Sequence, residues 1–163
     1  MSLFLNSCED EDNTAEVNNL LGTWKLTKII TPEAYDINSN GTSSLNLLDE
    51  LNEIEGINCL SNETLTFGVN NTVEIATTSD FDIQIYKVGD MMAFDIDCDP
   101  FNEVYVTDWS QNGNNIIIDG DEESIVNIAG DELSFVIEDY FDILNLDTDE
   151  QLYEDATFVY TKQ

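Results

Sequence analysis

The sequence predicts an all-β protein: an antiparallel up-and-down β-barrel with one or two short helices. Three observations carry that reading. From Asn62 onward, apolar and polar residues alternate in short runs, the period of strands that bury one face. Asn-Gly, Asp-Gly and Gly-Asp pairs punctuate those runs and supply the positive φ angles that short hairpins need. A meander of this many strands protects its edges best by closing on itself, first strand beside last.

The elements follow in order. A short helix is expected from a cap near Asn13 or Thr14, with Val17, Leu20 and Leu21 on one side, ending at Gly22. Trp24, Leu26, Lys28 and Ile30 then alternate with Thr23, Lys25, Thr27 and Ile29 as a first strand, which Pro32 stops. Between Thr31 and Asn58 lies the one long interruption. Ser43 or Ser44 can cap a second helix with Leu47, Leu48, Leu51 and Ile54 at helical spacing and Gly56 at its end, lying over the barrel mouth or against its outside.

The strand-rich part begins with Leu65, Phe67 and Val69, turned back at Asn70-Asn71 into a strand led by Val73 and Ile75. Phe81, Ile83 and Ile85 make the next strand. Gly89-Asp90 turns it into Met92, Phe94 and Ile96, and residues 102–109 follow as another. Asn112-Gly113-Asn114 closes a hairpin into Ile116-Ile117-Ile118. Asp119-Gly120-Asp121 and Gly130-Asp131 mark two more hairpins around Ile125, Ile128, Leu133, Phe135 and Ile137. Tyr140-Phe141 precede an acidic connection, Asp147 to Glu150, and a last strand runs from Ala156 to Thr161.

The length, 163 residues, suits one domain able to bury about two-thirds of its unfolded surface. Its charge is extreme: 35 acids against four lysines, net −31, with neither Arg nor His. Such a surface repels nucleic acid and anionic lipid headgroups, so no nucleic-acid partner is expected. Disorder is the usual fate of so acidic a chain. Here 42% of residues are hydrophobic and fall in periodic runs, enough to build a core.

Near the start, Leu3-Phe4-Leu5 leads through Asn6 and Ser7 to Cys8, and Glu9 to Asp12 follow at once. A small residue before a cysteine, where apolar gives way to acidic, resembles the processing site of a bacterial lipoprotein. That resemblance implies lipid on Cys8 and an outer-membrane address, with membrane attachment through that lipid alone. No Lys or Arg precedes the site, so the expectation is a sequence that begins inside the original signal. The chain then divides into a signal remnant (1–7), an acidic tether (8–19) with few contacts to the body, and the barrel (20–163). With Cys8 used by the anchor, Cys59 and Cys98 remain, 39 positions apart. In an oxidising compartment they can pair, closing a loop worth about 4 kcal/mol in the chain-entropy account. Two free thiols are the other reading.

Gly22-Thr23-Trp24 at the opening of the first strand is similar to the Gly-x-Trp signature of lipocalins, whose Trp plugs the closed end of the barrel. The whole order resembles the lipocalin-like lipoproteins of Gram-negative bacteria. Cys8 is followed by a linker, Gly22 with Trp24, Cys59 ahead of Leu65-Thr66-Phe67, Cys98, and Phe158-Val159-Tyr160-Thr161-Lys162. Lipocalins set an Arg over the signature Trp. This chain has none, and Lys162 is the residue expected to lie over Trp24 instead, as a cation on an aromatic face. The resemblance also implies that Glu9 to Asp12 act as an export signal to the outer face of the outer membrane; a plain solvated linker explains them equally well.

For function, the residues expected to face inward and hold a small apolar or amphipathic ligand are Trp24, Phe67, Phe81, Phe94, Trp109 and Phe135. An interior leaving less than about 100 Å³ excludes a ligand cup. The alternative is a solidly packed barrel acting as a protein-interaction module at the cell surface. Calcium is a weaker candidate. Asp95, Asp97 and Asp99, and the crowded Asp119, Asp121, Glu122 and Glu123, lack the spaced EF-hand pattern and read as solvated turns. Without His or a free nucleophilic thiol, most acyl-transfer designs are closed, so no enzyme, metal or cofactor is expected.

Overall fold

The computed structural model describes residues 20–55, 59–112, 115–118 and 122–163. The tether, Cys8 and the first expected helix up to residue 19 lie outside them. Among the described residues the strands are β1 (Gly22–Tyr35), β2 (Ser44–Asn46), β3 (Thr64–Phe67), β4 (Thr72–Val88) and β5 (Met91–Asn112), followed by β6 (Asn115–Ile118), β7 (Glu122–Ile125), β8 (Asn127–Ala129), β9 (Glu132–Asn145) and β10 (Glu150–Lys162). One short helix, α1 (Leu47–Asn52), follows β2.

The strands form a closed β-barrel with extra strands. Their order is β7-β6-β5-β4-β3-β1-β10-β9-β8. Only Val126 separates β7 from β8, so the two ends of that order are joined by the chain itself. First and last strands are neighbours: Trp24 pairs with Lys162 and Ile30 with Thr157. The other edge of β1 takes β3, with Gly22 opposite Phe67 and Lys25 opposite Thr64.

The ladders are not all antiparallel, which corrects the expectation. Residues 84–87 of β4 pair in parallel with residues 142–145 of β9. The cause is the length of two hairpins. Beyond Ala76, β4 has run past the end of β3, and beyond Ser134, β9 has run past β8. Each has a row of unsatisfied backbone groups there, and the two rows satisfy one another. The hairpin tips are clasped as well. Leu146 N–H donates to the Lys87 carbonyl at 2.9 Å, and Gly89 N–H to Asp147 Oδ2 at 2.5 Å.

Several expected breaks are bulges inside longer strands. The polar run from Thr77 to Asp80 does not end β4. An irregularity falls between Thr77 and Ser79, and the freed Thr78 N–H donates to Glu63 Oε1 at 2.7 Å. Likewise β9 runs on past Phe141 to Asn145, and β10 begins at Glu150 rather than Ala156. Pro32 does not stop β1. It falls in the irregular stretch between Ile30 and Tyr35, where its missing N–H is not needed. A second irregularity, between Leu26 and Lys28, flips the buried face from Trp24 and Leu26 to Ile29 and Thr31. Val69, expected inside a strand, is 79% exposed in the turn from β3 to β4.

The expected helix of 43–56 is shorter than its leucine spacing suggests. Ser44 opens β2 against β1, and Asn46 caps α1, its side chain accepting from Leu48 N–H. Leu47, Leu48 and Leu51 join the barrel core. Glu50 is buried beside them, its Oε2 accepting from Ile37 N–H at 3.1 Å, which ties the helix to the end of β1. A disulfide joins Cys59 to Cys98 with Cα atoms 5.9 Å apart, within bridging range. It fastens the segment before β3 to the long β4–β5 hairpin.

Candidate functional site

Inward-facing positions come from alternate residues on each strand. Leu65 and Phe67 on β3, Ile75 on β4, Ile116 and Ile118 on β6, and Leu133 and Phe135 on β9 all reach the same space, with Val126 completing the wall. They line a partly open cavity of about 200 Å³ whose lining side chains are all apolar. An apolar cavity of about 150 Å³ stays dry and takes benzene. Drug-sized pockets begin near about 300 Å³. This one suits a single ring or a short branched chain.

Of the six aromatics expected to hold a ligand, two line this cavity, Phe67 and Phe135. Phe135 stacks on Phe158 and Tyr160, with ring centres at 5.9 and 5.8 Å. Trp109 stands behind the wall, its ring edge-on to Phe67 at 5.3 Å. Trp24 belongs to the packed base instead. It is fully buried, its indole N–H donates to the Leu20 carbonyl at 2.7 Å, and Lys162 Nζ lies 5.2 Å from its ring centre. Phe94 sits on the long hairpin, edge-on to Tyr35 at 5.9 Å. Phe81 lines a separate recess of about 100 Å³ with Asp82, Ile83 and Tyr140.

Sequence reasoning gave weight to aromatics and passed over the aliphatic majority of the wall. The signal was present: Ile116 and Ile118 share a parity, as do Leu65 and Phe67, and Leu133 and Phe135. Val126 had no signal, because its place depends on the one-residue gap between β7 and β8.

Around the smaller recess the chemistry is polar. Glu63 is buried and accepts from both the amide and the hydroxyl of Thr78, at 2.7 and 3.1 Å. Burial, then the carboxylates of Asp82 and Glu63, push the Tyr140 hydroxyl up to about 12. Tyr160 is raised above the usual tyrosine range chiefly by burial, with Glu63 and Tyr140 adding to it. Tyr35 is raised by burial and by donating to Glu154 Oε2 at 2.6 Å. The cluster sets phenols beside carboxylates.

Asp95, Asp97 and Asp99 lie exposed on one face of β5, with Asp97 opposite Asp82 and Asp99 opposite Asp80. The side chains of the second acidic run lie outside the described residues. Among the described residues no group of three or more His, Cys, Asp or Glu is placed to hold a metal ion. No described helix is long and apolar enough to cross a membrane. Comparison of the chain with protein-family models, curated proteins and solved structures gives no match.

Proposed function

We propose that this protein is a non-enzymatic, lipocalin-like lipoprotein of the cell envelope, anchored by lipid on Cys8, whose barrel holds a small apolar ligand. One observation carries the reading: the partly open cavity of about 200 Å³ lined by apolar side chains, twice the volume below which a cup is excluded. The sheet order, in which almost every strand lies beside its sequence neighbours, and the cation over Trp24 are the support for the lipocalin-like part. With no charged or hydrogen-bonding side chain in the wall, the occupant is neutral, since a buried unpaired charge is very costly.

The test is a benzene titration followed by methyl NMR. Shifts confined to the methyls of Ile116, Ile118, Val126 and Leu133 are expected, and Val126→Phe should abolish them. Unmoved methyls at saturating benzene would remove the cup. A second reading, a surface module that engages a protein partner, has its own support: Phe101, Val104 and Val106 are exposed in the middle of β5.

A further inference from the structure

The β4–β5 hairpin leaves one side of a strand open. Residues 91–99 of β5 pair with β4 in unbroken register, from Met91 opposite Val88 to Asp99 opposite Asp80. The other side of β5 is taken by β6 only from Trp109 to Asn112. Along 91–99 no second ladder is formed among the described residues. Alternate amides and carbonyls of that stretch therefore point outward without a strand to meet them.

The two faces of this edge differ in chemistry. Phe94, Ile96 and Cys98 pack against the core, opposite Ile85, Ile83 and Phe81. Asp95, Asp97 and Asp99 stand exposed on the other face, with Asp82 and Asp80 beside them on β4. Among the described residues no three acids are placed to hold a metal ion, so this charge is spread along the edge rather than focused on a point. Sheet edges are commonly guarded by bulges, lysines or short length. This one is guarded by charge of a single sign, with Pro100 at its end. A second copy of the chain would set acids against acids, each copy carrying −31. A strand of opposite sign meets no such barrier.

We propose that this edge is a docking site for an extended basic segment of a partner protein, which adds to β5 as a further strand. Backbone hydrogen bonds hold the segment, and its side chains alternate between the two faces. Lysine or arginine at every second position lies against Asp95, Asp97 and Asp99, and apolar residues between them extend the face of Phe94 and Ile96. Such docking gives the surface-module reading its class of partner and rests on that reading. The cavity plays no part in it.

The test sets the full chain against three short capped peptides. One alternates lysine with valine, one has the same composition with every lysine ahead of the valines, and one is the alternating peptide with all its amides methylated. The alternating peptide should bind about tenfold more tightly than either control, and alternate amides among residues 91–99 should gain protection from hydrogen exchange. Replacing the three acids together (Asp95→Asn, Asp97→Asn, Asp99→Asn) should weaken it about tenfold, while Val104→Ser with Val106→Ser should leave it unchanged. The exchange pattern of the wild-type chain decides the matter even if the asparagine variant fails to fold. Equal binding of the three peptides, or protection of no amide in 91–99, overturns the proposal, because the acids then act only as diffuse surface charge. Binding lost in the serine variant but kept in the asparagine variant also overturns it, and leaves the surface module standing on its apolar patch. Binding of none of the peptides removes the edge as a docking site.

Discussion

Trp24 is fully buried between β3 and β10, with its N–H donated and its ring face under Lys162. Trp24→Ala should therefore cost roughly 3–5 kcal/mol in urea unfolding, the range for large buried aromatics. A loss under about 1 kcal/mol would mean the base is not packed as described. This residue was legible because a glycine two positions earlier and a lysine at the far end of the chain gave it company in the sequence. The cavity wall was less legible, because aliphatic residues at correct parity look alike whether they meet another side chain or empty space. The tyrosines were not legible at all, since their surroundings come from distant elements. Tyr140 faces Asp82 and Glu63, and its hydroxyl is pushed up to about 12. The folded state then holds that proton more tightly than the unfolded chain, whose tyrosines titrate near 10. Stability from this group is complete below pH 10 and drains away as pH rises toward 12. Melting temperatures from pH 9 to 12 should fall, and Tyr140→Phe should flatten part of the decline. An identical slope in the variant would count against the assignment.

At the scale of elements, the difference between a strand end and a bulge decided what could be read. Thr77-Thr78-Ser79-Asp80 looks like a turn by composition, yet β4 continues through it. The sequence alone cannot show this, because the Thr78 amide is satisfied by a carboxylate 15 residues away. Glu63 in turn is held in place by backbone bonds, with Leu26 N–H donating to its carbonyl at 2.9 Å. Glu63→Ala should thus leave the Thr78 amide without its acceptor and cost about 1–3 kcal/mol, while Glu63→Gln, which keeps one carbonyl oxygen, should lose less. Equal losses for the two would show that the hydrogen bond to Thr78 is not what Glu63 supplies. Turn chemistry was the legible part. Gly89 and Gly130 adopt φ of +58° and +65°, and each closes the hairpin its position implied. The parallel ladder was illegible for a simple reason: alternation reports which face is buried, not which edge is free.

For the whole molecule, closure was legible and the cost of its charge was not. Apolar alternation demanded a sheet with one covered face, and pairing the first strand with the last meets that demand. Folding then gathers a net charge of −31 onto one compact surface. Lys28 pairs with Glu132 at 2.7 Å, and both partners are exposed, so this ion pair offsets little. Repulsion is sharpest on the long hairpin, where Asp80 faces Asp99 and Asp82 faces Asp97 across one ladder. Unfolding spreads these charges apart, so self-repulsion favours the unfolded chain and salt should shift the balance toward the fold. Raising sodium chloride from about 20 mM to about 500 mM shortens the Debye length from about 20 Å to about 4 Å, less than the spacing of most surface charges. The melting temperature should climb by several degrees over that range, most of the rise arriving by about 150 mM, where the screening length is already about 8 Å. Asp97→Asn, by removing one of the facing pairs, should raise the low-salt value and narrow the gap to high salt. A melting temperature indifferent to salt would mean that the acids lie too far apart, or too well hydrated, for their repulsion to act on the fold.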